Sequence, residues 1–320
     1  QNNAQNYDKL KLMFSIFLGL TPFIFITLVG FILGKLKIFD LSHAKIFNLF
    51  LFYVAVPCLL IKLISQSEIG QIDLKQLFSY LLMQFICGSL AYFVAFAYFK
   101  KSISESIIWS LTVALSNHVT LLLPITEIYF NNNTIDQVTA IILMDSIILL
   151  SVITFLLELN CRKNIKFLNF FKNLFFNPVI FSIIMGIFIL VFNIDLSNTP
   201  IEYTLEKISA CVSPVGLLGI GIILSFYSKK IFNKLTLSIS ILKLIISPLI
   251  FLLISFILFD LDTPKDMPGA FFVSVAPCGH TAIVLCAAYN VNSENIIKAL
   301  FISTFASIGT IFFALRYLTL

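Results

Sequence analysis

Six polar side chains stand where the surrounding sequence is almost entirely apolar: Asn117, His118, Asp145, Lys243, His280 and Thr281. Their types suit the capture of an anion together with a proton. Asn117 carries an amide donor and a carbonyl acceptor, which fits a carboxylate or an open helix end. Imidazole changes charge near neutral pH. His118 and His280 could therefore bind substrate, carry a coupled proton, or hold a helix crossing together as neutral groups. Lys243 lies near the middle of the apolar run Leu235–Phe256 and could neutralise an anion or form an ion pair. Asp145 is the one acid near the middle of its own stretch, read either as the proton carrier or as the partner of Lys243. His43, the third histidine, falls in a loop with no specific role.

Two motifs frame these residues. Ser116-Asn117-His118-Val119-Thr120 is followed by Pro124, and Ala276-Pro277-Cys278-Gly279-His280-Thr281 supplies a second proline with a glycine. Proline removes a backbone donor and glycine permits sharp turns. Singly, each motif reads as well as an ordinary packing kink. As a pair they predict two helices broken at Pro124 and Pro277 near the bilayer centre, whose ends offer N–H groups and positive dipoles to an anion. The predicted binding residues are Asn117, His118, Pro277, Gly279, His280, Thr281 and Lys243. Asp145, Lys243, His118 and His280 are the candidates for proton coupling or charge balance.

The elements that must position these groups are membrane-spanning helices. Apolar residues make up 59% of the 320 and charged ones 12%, with 35 Phe, so a water-facing surface of normal character cannot be built. Mean hydropathy is +1.01. Ten apolar segments are expected at residues 14–34, 44–64, 74–98, 105–129, 137–159, 175–192, 203–226, 233–258, 267–289 and 294–318, each long enough to cross the hydrocarbon core with tilt or a break. Helices are required because lipid offers no partner for an open backbone, and the alternating ten-residue strands of a barrel are absent. The first stretch is too long for a signal-peptide core and is expected to be a real span. The fold class predicted is an all-α polytopic membrane protein.

The formal charge of +5 resides in short clusters between apolar stretches, which argues topology and not nucleic acid. Lys35, Lys37 and Lys45, Lys100 and Lys101, Arg162, Lys163, Lys166 and Lys172, Lys229, Lys230 and Lys234, and Lys298 fall on one side, predicted cytoplasmic. Both termini are then non-cytoplasmic, and the expected location is the plasma (in a bacterium, inner) membrane. The six cysteines, Cys58, Cys87, Cys161, Cys211, Cys278 and Cys286, lack ligand spacing, and no Gly-rich phosphate loop is present, so neither metal, cofactor nor ATP hydrolysis is expected. Gly216, Gly219 and Gly221 predict close helix approach at the seventh segment.

An internal repeat is visible. Pro22 and Pro178, Pro57 and Pro214, Gln84 and Lys243, and His118 and His280 are related by offsets of 156 to 162 residues in chain order. Five plus five spans force the halves, residues 1–160 and 161–320, to run in opposite senses, the inverted-repeat layout of many secondary transporters.

The chain resembles the auxin efflux carrier family, which includes plant auxin carriers and bacterial malonate-type transporters. The resemblance rests on Gly30-Phe-Ile-Leu-Gly34 through Phe39-Asp40 to Asn48-Leu-Phe-Leu-Phe-Tyr-Val-Ala-Val-Pro57, on Ser116-Asn117 to Leu123-Pro124, on Asp145, and on Asn177-Pro178. It continues through Leu242-Lys243-Leu244 with Pro248 and Pro277-Cys-Gly-His-Thr-Ala-Ile-Val-Leu285. It implies ten helices in two inverted five-helix repeats, as in the bile-acid and sodium/proton transporters, with broken helices four and nine crossing at the substrate. It also implies scaffold helices at about 14–64 and 175–226. Transport-domain helices at about 74–159 and 233–318 are expected to move elevator-fashion, in a homodimer. Small organic anions are the expected substrates, with Asn117 and the turn at Pro277 in the binding region and Lys243 and Asp145 as charge partners.

The chain departs from the family pattern at Val119 and Thr281, where a glycine and an asparagine are usual, and His118 and His280 stand at places normally apolar or small. The expected function is a secondary carrier of a mono- or dicarboxylate. A proton is favoured over sodium because a sodium site wants several oxygens and Asp145 is alone. A channel-like anion pathway and a non-transporting receptor or structural subunit are the rivals. An enzyme is disfavoured, since no nucleophile–base set appears in the loops.

Overall fold

The computed structural model describes residues 2–67, 74–161, 177–227, 232–260 and 263–319, with side chains from residue 18 onward. The basic residues Arg162, Lys163, Lys166, Lys172, Lys229 and Lys230 lie outside the described residues. Among those described, regular structure is helical apart from one isolated bridge. In chain order the helical runs are α1 (Asn2–Lys35), α2 (Leu41–Gln66), α3 (Leu74–Tyr98), α4 (Ile103–Ala114), α5 (Leu123–Tyr129) and α6 (Asn132–Cys161). After these come α7 (Pro178–Val191), α8 (Pro200–Phe226), α9 (Lys234–Phe259), α10 (Pro268–Ser274), α11 (Thr281–Ala288) and α12 (Glu294–Thr319).

Seven of these runs are long and apolar enough to cross a membrane. Polarity is distributed accordingly: Phe85 is 73% exposed on an outer face, whereas Lys243 is wholly enclosed. That inversion is what a hydrocarbon solvent selects. The chain is a multi-pass, all-α membrane protein.

Polar caps set the helix starts. Asp40 accepts from the amides of Ser42 and His43 to open α2, and the His43 ring returns to the Asp40 amide. Bonds from the Ser42 hydroxyl and the His43 amide hold the Asp40 carboxyl below its ordinary range. His43 is thus a capping residue. Ser102, Asn131, Asn177, Thr199 and Asn233 cap α4, α6, α7, α8 and α9 in the same manner.

Several runs contain a π-helical turn, and three of these precede a proline by two residues. Leu51–Ala55 comes before Pro57, His118–Leu122 before Pro124, and Leu242–Ile246 before Pro248. Proline has no amide to give, and its ring collides with the carbonyl four residues back in a regular α-helix. A widened turn relieves both conflicts and lets the helix continue.

α1 packs against α8, and α2 against α7. At the α1–α8 contact the backbones meet: a Cβ on Gly30 would run into the Leu218 carbonyl oxygen, and one on Gly221 into that of Thr27. Gly216 instead faces Thr120, with its Cγ2 only 2.7 Å from where a Cβ would stand. α3, α4 and α9 form a second body, with α12 against α9 and α11 against α4. Four of the bulkiest fully enclosed side chains among the described residues, Trp109, Tyr80, Lys243 and Phe251, belong to that body.

Candidate functional site

The two motif-bearing segments are each interrupted, and the interruptions meet. α4 stops at Ala114, Leu115 is extended, and helix resumes with the π turn at His118. α10 stops at Ser274 and helix resumes at Thr281. Ser116 and Cys278 face each other as an antiparallel bridge. The Asn117 amide donates to the Pro277 carbonyl at 2.9 Å and the Gly279 amide to the Leu115 carbonyl at 2.8 Å. Backbone groups freed by the breaks thus satisfy one another inside the bundle, as a lipid environment requires. Gly279 permits this approach: a Cβ there would lie 2.8 Å from Leu115 Cγ and 3.2 Å from its carbonyl oxygen.

The first interruption falls at Leu115–Asn117, ahead of Pro124, which sits in the opening turn of α5 and is carried by the π turn before it. Pro277 lies within the second interruption.

Helix C-termini converge on one side of the crossing, and donors cover their carbonyls. Gln84 Nε2 reaches the Ala114 carbonyl at 3.1 Å, Ser116 Oγ donates to Val273 at 3.0 Å, and Thr310 Oγ1 to Val275 at 2.8 Å. Lys243 Nζ donates to Ser116 Oγ at 2.7 Å, and the Tyr80 hydroxyl lies 3.1 Å from that oxygen. Ser116 therefore uses its proton on Val273 and its lone pairs on Lys243 and Tyr80. The ammonium is placed where α4 and α10 end, so its charge offsets the negative ends of two helix dipoles.

Asp145 is bound elsewhere. Its Oδ1 accepts from Gln84 Nε2 at 2.7 Å, and its Oδ2 lies 2.8 Å from His118 Nε2. The sequence left Asp145 either as the proton carrier or as the partner of Lys243; the structure pairs its carboxylate with His118 and Gln84. Lys243 bonds Ser116 instead. His118, Asp145 and Lys243 all lie in π turns, a feature that concentrates at functional positions.

Helix N-termini open on the other side, at His118 and Thr281, where the first amides have no acceptor within their own helix. Beside them lie three buried nitrogens without a partner: Asn117 Nδ2, His118 Nδ1 and His280 Nδ1. Asn117 Oδ1 accepts from the Thr120 hydroxyl, which leaves the amide NH2 as the group on offer. Thr281 is half-buried at the first position of α11.

Ser116, Gln84 and Tyr80 were not singled out as site residues in the sequence. Gln84 was recognisable, being the repeat counterpart of Lys243; Ser116 and Tyr80 are ordinary helix residues until the crossing brings them to the lysine.

Two larger cavities adjoin this core at opposite ends of α2. One, of about 370 Å3, is lined by Lys62, Gln66, Glu127, Asn132 and Asp136 among others. The second, of about 360 Å3, includes Lys45, Asn48, Tyr53, Tyr227 and Ser293 with apolar walls from α2, α8 and α11. Among the described residues no cluster of three or more His, Cys, Asp or Glu could hold a metal ion.

The family model described as "Membrane transport protein" matches residues 15–170 and 166–315. The chain belongs to this family. Membership agrees with the resemblance to auxin efflux carriers and makes the protein a secondary transporter of small molecules, not an enzyme. A comparison with curated proteins gave no match. As a membrane transport protein, the chain has at its crossing what such a carrier needs: enclosed charge, paired helix ends and unfilled hydrogen-bonding capacity.

Proposed function

We propose that this protein carries a small carboxylate anion together with a proton across the plasma membrane. The observation that carries the reading is the set of three unpartnered buried nitrogens, Asn117 Nδ2, His118 Nδ1 and His280 Nδ1, beside two helix N-termini. Unfilled polar groups at that depth are costly unless a ligand completes them.

The His118–Asp145 contact supplies a route to coupling. With the carboxylate ionised, His118 Nε2–H donates to Asp145 and Nδ1 is a bare acceptor, which repels an anion. Protonation at Nδ1 turns it into a donor, and Asp145 stabilises the imidazolium. Proton and carboxylate then bind as a pair and each raises affinity for the other. Lys243 is occupied by Ser116, so in this reading it sets the positive potential of the crossing without contacting substrate. Pro277 and Gly279 shape the turn, and Thr281 offers its amide and hydroxyl.

The architecture proposed is ten spans in two inverted halves, residues 1–160 and 161–320, with both termini non-cytoplasmic. The two cavities support it. Lys62, Gln66, Glu127, Asn132 and Asp136 line one, and Ile223, Tyr227, Ala287, Ser293 and Ile297, each 160 or 161 residues further on, line the other. Corresponding places in the two halves thus make corresponding hollows at opposite membrane faces. The scaffold of α1, α2, α7 and α8 would stay fixed while the body holding the crossing moves along it, with Gly216 against Thr120 giving a small-residue sliding contact.

Purified protein in proteoliposomes, offered radiolabelled malonate, acetate and phenylacetate with and without an inward-acid gradient, tests the reading. Saturable counterflow stimulated by acid is expected. Absence of counterflow for every carboxylate removes the substrate assignment, and conductance without saturation replaces the carrier with a channel.

A further inference from the structure

The helix α2 carries one lysine near each end, and each lines the cavity at its own membrane face: Lys45 with Asn48, and Lys62 with Gln66. The 17-residue step from one to the other corresponds to about 25 Å of helix axis at ~1.5 Å per residue. This nearly spans the hydrocarbon core, and the crossing lies between. In the sequence Lys45 counted only as a topology marker.

Their settings differ. Lys45 is exposed, and among the described residues no carboxylate lines its cavity, whose other walls include Phe52, Tyr53 and Tyr227. Lys62 is half-buried and shares its cavity with Glu127 and Asp136. A second cavity on its other flank, of about 220 Å3, brings Asp195 and Glu202 as well. The Lys45 hollow is therefore positive, and the Lys62 hollow is lined by more negative than positive charge. A hollow with low-dielectric walls concentrates ions of the opposite sign and excludes those of its own.

Resting on the carboxylate-carrier reading, we propose that Lys45 and Lys62 are the anion-capturing residues at the two mouths of one path. The Lys45 mouth is the high-affinity face, and the Lys62 mouth is weakened by Glu127 and Asp136. The aromatic rings admit the carbon body of a carboxylate while Lys45 holds its charged end. At the other face the carboxylates compete with the substrate for Lys62, so an arriving anion is released readily there.

The test is the half-saturation concentration for malonate and for phenylacetate at each face, in right-side-out and inside-out proteoliposomes at low ionic strength. Wild type is expected to show the lower KM on the Lys45 face. Lys45→Gln should raise KM roughly three- to tenfold on that face, leave the other face within about twofold, and be rescued by Lys45→Arg. Lys62→Gln should do the converse, and Glu127→Gln should lower KM on the Lys62 face only. Raised salt should shrink all these differences. If Lys45→Gln shifts both faces equally, or neither, the mouths play no such part although the carrier reading stands. If wild type moves no carboxylate, the carrier reading and this inference fall together.

Discussion

In the first interruption Ser116 takes the Lys243 ammonium and His118 takes Asp145, so both side chains flanking Asn117 are tied to charges on other helices. In the second, the residues at matching places are Cys278, beside the small Gly279, and His280, whose Nδ1 has no partner. The backbone exchange between the segments is nearly symmetric, at 2.9 and 2.8 Å. The side chains are not. One break is the electrostatic half, holding the Asp145 and Lys243 charges, and the other is the steric half, giving close approach and an open imidazole. Two breaks of like backbone geometry can thus divide the chemistry between them.

Substitution of the steric half should have the largest effect. Gly279→Val places atoms where Leu115 already stands, 2.8 Å from the first added carbon, and the bridge cannot close without displacing α4. Overpacking of this sort costs about 1–3 kcal/mol, and the cost falls on the crossing itself. Uptake below a tenth of wild type is expected. An earlier melt should appear in the fluorescence of Trp109, the single tryptophan, which is buried on α4. Full uptake by this variant would show that the two breaks need not touch.

Next in size is Asp145→Asn, which keeps the shape and the bond from Gln84 but sets an NH2 against His118 Nε2 and removes the charge that stabilises an imidazolium. Uptake should fall about tenfold, a loss of ~1.4 kcal/mol in substrate capture. KM should also lose its dependence on pH. On the proposed coupling the protonated His118 binds the anion, so KM should rise as pH rises; in the variant the curve should be flat. Retained acid stimulation would move the proton away from the first break.

The bridge pair sharpens the same contrast. Ser116→Ala leaves Lys243 and Tyr80 without the oxygen they share and the Val273 carbonyl with the Ala276 amide alone, and is expected to cost about 2–3 kcal/mol. Cys278→Ala removes a sulfur of small hydrophobic weight and should cost ~1 kcal/mol or less. Equal melting shifts would mean that the charge at Lys243 is held by something other than Ser116.

Much of this division was open to reading along the chain. Continuous apolar runs placed α2, α3, α6, α8, α9 and α12 to within a few residues, because lipid leaves a helix no alternative. Asn117, His118, Asp145, Lys243 and His280 stood out because ionisable or amide groups in apolar runs have few other uses. The position of the first break was not legible. Pro124 pointed to it, yet a π turn absorbs the proline, and the chain opens instead at Leu115–Asn117, where tertiary pairing with Pro277 and Gly279 compensates the lost bonds. Partner choice was equally hidden, since whether Asp145 meets Lys243 or His118 depends on how the π turns rotate each side chain.

The smallest expected effect belongs to His280→Ala, and it bears most directly on what the open imidazole does. No protein group pairs with Nδ1, so its removal breaks no internal bond and leaves the Asp145–His118 contact in place. Stability should stay within about 0.5 kcal/mol of wild type, the range of a substitution away from structural features. KM for the carboxylate should rise about three- to fivefold, the loss of one hydrogen bond of ordinary net strength, ~0.6–1 kcal/mol. Acid stimulation should persist, because the proton stays at the first break. His118→Ala must behave differently, losing acid stimulation along with affinity. If the two histidine variants prove indistinguishable in their pH profiles, the breaks share one role, and the separation into electrostatic and steric halves is wrong.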